Sequence, residues 1–211
     1  MIRVMTMAAV MAAAGAAHAA TYSFERISSN AGQDVSEQFS VEMIDVGGGA
    51  VDLIFRNSAE IKSSISLVYI DNGPGGDTFD TGTLQSQVGA SFVFGTGSPA
   101  NLPGGFGLSE TFSTTPGFLA DAKGNPSNGL STASDHLVLR FVLNGGLGFA
   151  DALAAVEDGT LRFGLHVRSI GDGGNSDSFV NVPRNVPIIP LPSAAGLGLL
   201  GLALTATRRR R

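Results

Sequence analysis

The sequence predicts a mainly β protein, an antiparallel β-sandwich of jelly-roll-like type with one short helix, occupying residues 20–184. Three observations predict it. Seven short runs alternate apolar and polar residues, the period of a half-buried strand. Clusters of Gly, Ser, Asn and Pro separate those runs, as turns do. One segment alone has helical spacing.

Taken in order, Phe39, Val41 and Met43 alternate with Ser40 and Glu42. After Gly47-Gly48-Gly49, Val51, Leu53 and Phe55 alternate with Asp52 and Arg56, which makes a hairpin around a glycine turn. Ile65, Leu67 and Tyr69 form a third strand, stopped by Asn72-Gly73-Pro74-Gly75-Gly76. Phe92, Val93 and Phe94 give a short fourth. Leu137, Leu139, Phe141 and Leu143 form a fifth, with Arg140 on its other face. Leu161, Phe163, Leu165 and Val167 oppose Arg162, His166 and Arg168, and Phe179, Val180 and Val182 close the series. The helix is carried by Phe149, Leu153 and Val156 at i, i+4 and i+7, with Asp151 in its first turn and Gly159 as its stop. It is expected to cover an open end of the sandwich. Residues 95–128, with Pro99, Pro103, Pro116 and Pro126, read as irregular surface or a flap over a sheet edge.

The two ends differ from the body. Residues 1–19 have Arg3, an apolar core from Met5 to Ala17 and the small-x-small site Ala17-His18-Ala19, which is the pattern of a secretory signal peptide. Residues 185–211 hold the lead-in VPIIPLPSA, an apolar run and then Arg208, Arg209, Arg210 and Arg211. Pro190 and Pro192 exclude a helix interior, so a transmembrane helix is expected over residues 193–207, capped by Ser193. At 1.5 Å per residue it reaches roughly 22 Å, short of a hydrocarbon core of about 30 Å, and snorkelling arginines with the Ile188-Ile189 lead-in shorten the gap. The arginines hold the far end in the cytoplasm, so the body lies outside it.

This three-part tail resembles the PEP-CTERM class of sorting signals, in its VPLPA variant, through Ile189-Pro190-Leu191-Pro192-Ser193-Ala194, the apolar helix and the arginine cluster. Ile189 stands where the variant has Val, and Ser193 where it has Ala. The resemblance implies recognition of Pro190, Leu191, Pro192 and the four arginines by an exosortase-type processing enzyme, and a setting in which extracellular polysaccharide is made. Residues 40–57 and 149–181 also resemble stretches that recur in exported proteins with this tail. That implies a shared surface domain and supplies no catalytic residue.

Composition narrows the function further. Taking away Arg3 and the four tail arginines leaves 8 of the 13 basic residues against all 18 acidic ones, so the body carries a net charge of −10. Such a body repels nucleic acid and anionic lipid. There is no cysteine, which excludes disulfides, thiol chemistry and cysteine-ligated metals, and no tryptophan to stack on sugars.

Residues with chemical potential are few. His166 reads as a solvated strand residue, and His136 follows Asp135 at a strand start. Gly95-Thr96-Gly97-Ser98-Pro99 is a Gly/Pro loop rather than a nucleophile elbow. Pairs of carboxylates arise by chance in so acidic a body and do not mark a glycosidase. Two loops carry calcium-type ligands, Asp71, Asp77 and Asp80 in one and Asp172, Asn175 and Asp177 in the other. The same residues are equally ordinary turn formers. The expectation is therefore an exported protein, anchored in the membrane and then sorted to the cell surface or extracellular matrix. It has no catalytic residues, no cofactor apart from these calcium positions, and no enzymatic role. A polysaccharide-binding module is the alternative and a secreted hydrolase the third reading. Aromatic residues converging on a groove would mark binding. Asp135, His136 and a serine meeting in a pocket would mark catalysis.

Overall fold

A computed structural model describes residues 18–183 and the backbone of residues 189–190. The expected signal peptide lies outside the described residues except for His18 and Ala19, and the sorting tail except for the backbone of Ile189 and Pro190. Among the described residues no helix is long and apolar enough to cross a membrane.

The chain forms β1 (His18–Arg26), β2 (Phe39–Gly47), β3 (Ala50–Asn57), β4 (Ser64–Asp71), β5 (Phe79–Val88), β6 (Val93–Phe94), β7 (Leu119–Asp121), β8 (His136–Leu143), α1 (Phe149–Glu157), β9 (Arg162–Ile170), β10 (Asn175–Asn181) and β11 (Ile189–Pro190). Every strand pairing is antiparallel. The mainly β prediction and its one short helix are borne out. Each of the seven apolar runs lies in or across one of these strands.

Hydrogen bonding is continuous in the order β5-β8-β3-β2-β1-β10-β9-β4-β7-β6, with β11 beside β1. The sequence reading expects separate sheets, and β1 is the reason they are joined. Its first half, Ala19 to Ser23, pairs with β2, and its second half, Phe24 to Arg26, pairs with β10. Ala20, Tyr22 and Phe24 point inward along its whole length, so the sheet folds over at β1 and keeps one apolar face inside. Aromatic pairs join the two halves, Tyr22 and Phe55 each with Phe163 and Phe39 with Phe179, at ring separations of 5.0–6.4 Å. The far ends of the path come back together where Phe94 of β6 meets Phe141 of β8, so the sheet is nearly closed.

The hairpin forms as predicted. Gly47, Gly48 and Gly49 all have positive φ, which side-chain-bearing residues resist. Helix α1 buries Ala152, Leu153 and Val156 in the core. Asp151 accepts a hydrogen bond from the Gly148 N–H at its start, and Gly159, at φ +81°, ends it.

In β4 all eight residues are buried, more than alternation implies. A bulge at Ser66 shifts the register, so that Ile65, Val68 and Ile70 face the main core while Leu67 and Tyr69 face outward. The long segment 95–128 explains their burial. Its Leu102, Phe112 and Leu119 cover the outer face of β4, β9 and β10 as a second apolar cluster with Leu67, Tyr69 and Val180. It is a strap over a sheet face, and its Leu119–Asp121 also adds β7 beside β4. Gly164 of β9 lets the strap lie this close, because a Cβ there would stand 2.8 Å from Leu102 and 2.9 Å from Phe112.

Candidate functional site

The acidic residues singled out in the sequence divide into those that tie the fold together and those that face solvent. Asp177 is 1 % exposed. Its carboxylate accepts from the Ser28 hydroxyl, the backbone N–H groups of Asn30 and Ala31, and the Arg26 guanidinium at 2.8 Å. Asp172 and Asn175 of the same loop are exposed. Asp71 accepts from the Gly73 and Ser113 N–H groups and pairs with Arg162, the residue opposite it in the β4–β9 register. Asp77 and Asp80 are exposed, Asp80 on β5. Asn72 serves the same loop by bonding both the N–H and the C=O of Phe79, which starts β5. Among the described residues no three His, Asp or Glu side chains stand together in a way that could hold a metal ion.

Asp135 and His136 are neighbours in sequence only. Asp135 accepts from the N–H groups of Ser131 and Thr132 and from the Thr132 hydroxyl. Burial works to raise its pKa, but these bonds outweigh burial and hold the carboxyl below the usual aspartate value. His136 opens β8 between Arg56 and Val88. The loop 95–99 is equally structural. The Ser98 N–H donates to Asp121, and the Tyr69 hydroxyl donates to the Pro99 carbonyl. Of the sorting residues, Pro190 pairs through its backbone with His18, while Leu191, Pro192, Arg208, Arg209, Arg210 and Arg211 lie outside the described residues.

His166 is half-buried on β9, its Nδ1 3.4 Å from the Ser178 hydroxyl. Burial first, and then the charge of Arg168, push its pKa below the ordinary histidine value, with Asp177 opposing them. A depressed folded-state pKa means that the folded chain keeps this imidazole neutral and the unfolded chain protonates first. Its contribution to stability is complete above the unfolded value near 6.5 and is lost as the pH falls through that value towards the folded pKa. Urea midpoints measured from pH 8 to pH 5 should decline more steeply for the native chain than for His166→Gln. Parallel declines would show that the imidazole carries no such linkage.

Among the described residues lies a wide groove that sequence reasoning did not find. It is open, with a volume of about 1060 Å³, and lies between the β4–β5 turn at 73–76, the strap at 109–116 and the turn after α1 at 158–160. Asp71 and Arg162 form its floor. Arg162 does three jobs there. It pairs with Asp71, donates to the backbone carbonyls of Glu110 and Thr111, and lies over the Phe112 ring, 5.3 Å from its centroid. One guanidinium thus clamps the strap to two strands and fixes the groove's shape. Beneath the lining, Arg162 Nε and Thr114 Oγ1 are buried with no hydrogen-bond partner among the described residues.

These features define a mainly β protein with a polar, preformed groove at one end of a nearly closed sheet. No protein-family model matches the chain, and no curated protein or solved structure is similar to it.

Proposed function

We propose that the chain is an exported, surface-sorted, non-enzymatic protein of the cell envelope or extracellular polysaccharide matrix, with residues 20–184 forming a jelly-roll-like β-sandwich. The observation that carries the non-enzymatic reading is how the reactive groups are used. Asp71, Asp135 and Asp177 each accept three or more hydrogen bonds from neighbouring chain segments. A carboxylate whose oxygens are already taken up by donors of the fold is a fold-tying group rather than a general acid or base. The apolar core, which spans both halves of the sheet, supports a domain that is stable outside the cell without disulfides.

The sorting half of the reading is supported by the two ends of the sequence. The signal peptide starts export, the apolar run from residue 193 to 207 stops in the membrane, and Arg208 to Arg211 hold its end inside. Pro190 and Pro192 keep the lead-in extended, the form that an exosortase-type enzyme can take into a cleft. Mass spectrometry of protein released from exosortase-bearing cells should find the tail removed. Pro190→Ala with Pro192→Ala should block processing and leave export intact, and neutral residues at 208–211 should weaken membrane retention. Released protein that still ends in Arg211 would overturn the sorting reading.

A further inference from the structure

We propose that the groove floored by Asp71 and Arg162 binds a neutral, polyhydroxylated chain, an oligosaccharide segment, at the cell exterior. The inference adds a ligand to the reading above and does not rest on the sorting tail. Size comes first. Small-molecule sites run to roughly 300–1000 Å³, and an open groove of about 1060 Å³ accommodates several sugar rings.

Charge then selects among ligands. Asp71 and Arg162 offset each other at the floor, which leaves Glu110 and Asp158 as the charged rim. A net negative groove in a net negative body excludes anionic chains. Metal ions are disfavoured differently, because the floor carboxylate of Asp71 already serves three donors. What remains suits hydroxyl groups. Rim carboxylates accept from vicinal hydroxyls in charge-assisted hydrogen bonds. The exposed Ser109, Thr111 and Ser113 both donate and accept. Pro74 and Pro116 supply exposed C–H surface for the apolar faces of pyranose rings, where tryptophan is lacking.

Because the Arg162 clamp fixes the walls beforehand, little ordering is required on binding.

The test uses the full-length chain in detergent micelles and saturation-transfer NMR. Cellohexaose, isomaltohexaose and mannohexaose are the neutral probes, hyaluronan hexasaccharide is the anionic probe, and calcium chloride is followed by thermal shift. At least one neutral hexasaccharide should bind. Its affinity should fall about tenfold in Glu110→Ala, the loss of one charge-assisted bond. Binding should be abolished in Ser113→Phe, which fills the groove from an exposed position, with melting temperatures unchanged in both variants. Binding by no neutral probe, tighter binding of hyaluronan, a calcium shift that Glu110→Ala removes, or neutral binding that both variants retain would each overturn the proposal. If Ser113→Phe unfolds the chain, Glu110→Ala alone decides. Tail processing is measured separately, so failure here leaves the sorting reading standing, and the reverse holds.

Discussion

Asp177→Ala is expected to destabilise the folded chain by about 3–5 kcal/mol, the range for breaking a buried ion pair by removing one partner. The carboxylate is almost fully enclosed, and it answers two backbone N–H groups, one hydroxyl and one guanidinium. Without it Arg26 keeps its charge in a site where its side chain is 16 % exposed, and the N–H groups of Asn30 and Ala31 lose their acceptor. Arg26 also donates to the carbonyls of Ser28 and Ala31, at 2.6 Å each. The knot therefore fixes the whole turn that leaves β1, the strand on which the sheet folds over. Asp177→Asn should do little better, because one amide nitrogen must then face a donor. Replacing both partners, Arg26→Met with Asp177→Leu, should recover much of the loss, since no charge is left stranded. Urea denaturation followed by far-UV circular dichroism reads all three. A loss below about 1 kcal/mol in Asp177→Ala, within the range of an exposed pair, would show that the knot does not hold the fold.

That knot also shows where the sequence is legible and where it is not. Strands β2, β3 and β8 can be read because each has one face in the core and the other at the surface, so burial writes itself as alternation. Strand β5 cannot be read this way. It ends the hydrogen-bonding path, only its first residue, Phe79, is buried, and its Thr, Ser and Gln look like loop. Strand β1 begins at His18, inside the stretch whose sequence reads as a signal peptide, so its own alternation is obscured. The outward turn of Leu67 and Tyr69 depends on a bulge at Ser66 and on a strap about forty residues later, which no local pattern encodes.

The site follows the same logic. Asp71 and Asp177 stand out as acids in glycine-rich loops, where local pattern offers only calcium ligation or turn formation. Their partners are distant in sequence, Arg162 91 residues from Asp71 and Ser28 149 from Asp177. Strand register creates those pairs, so the sequence shows the carboxylates and hides what they hold. The groove is hidden for the same reason, since its three walls come from three separated turns.

Phe141→Ala should cost about 3–5 kcal/mol, the range for truncating a fully buried phenylalanine, and it should act on one seam of the sheet in particular. Phe141 is completely buried on β8. It stacks on Phe79 of β5 at 4.4 Å, and its edges meet Phe118 at 5.1 Å and Phe94 of β6 at 5.9 Å. Phe79 and Phe94 belong to the two ends of the strand path, so this ring is the contact through which the nearly closed sheet meets itself. Gly82 of β5 makes room for it, because a Cβ there would stand 2.5 Å from the Phe141 ring and 2.9 Å from Phe94. Truncation leaves a cavity that the strands cannot easily fill, since β5 and β8 are tied along their length by hydrogen bonds. Two effects should follow. The urea midpoint falls, and amide exchange rises selectively where the seam opens, at the Gly95 N–H that donates to the Leu119 carbonyl. A double-mutant cycle with Phe94→Ala separates seam from core, because an aromatic pair of this kind couples by about 0.5–1.5 kcal/mol beyond its burial. Zero coupling with unchanged exchange at Gly95 would mean that Phe141 is an ordinary core residue and that closure of the sheet depends on something else.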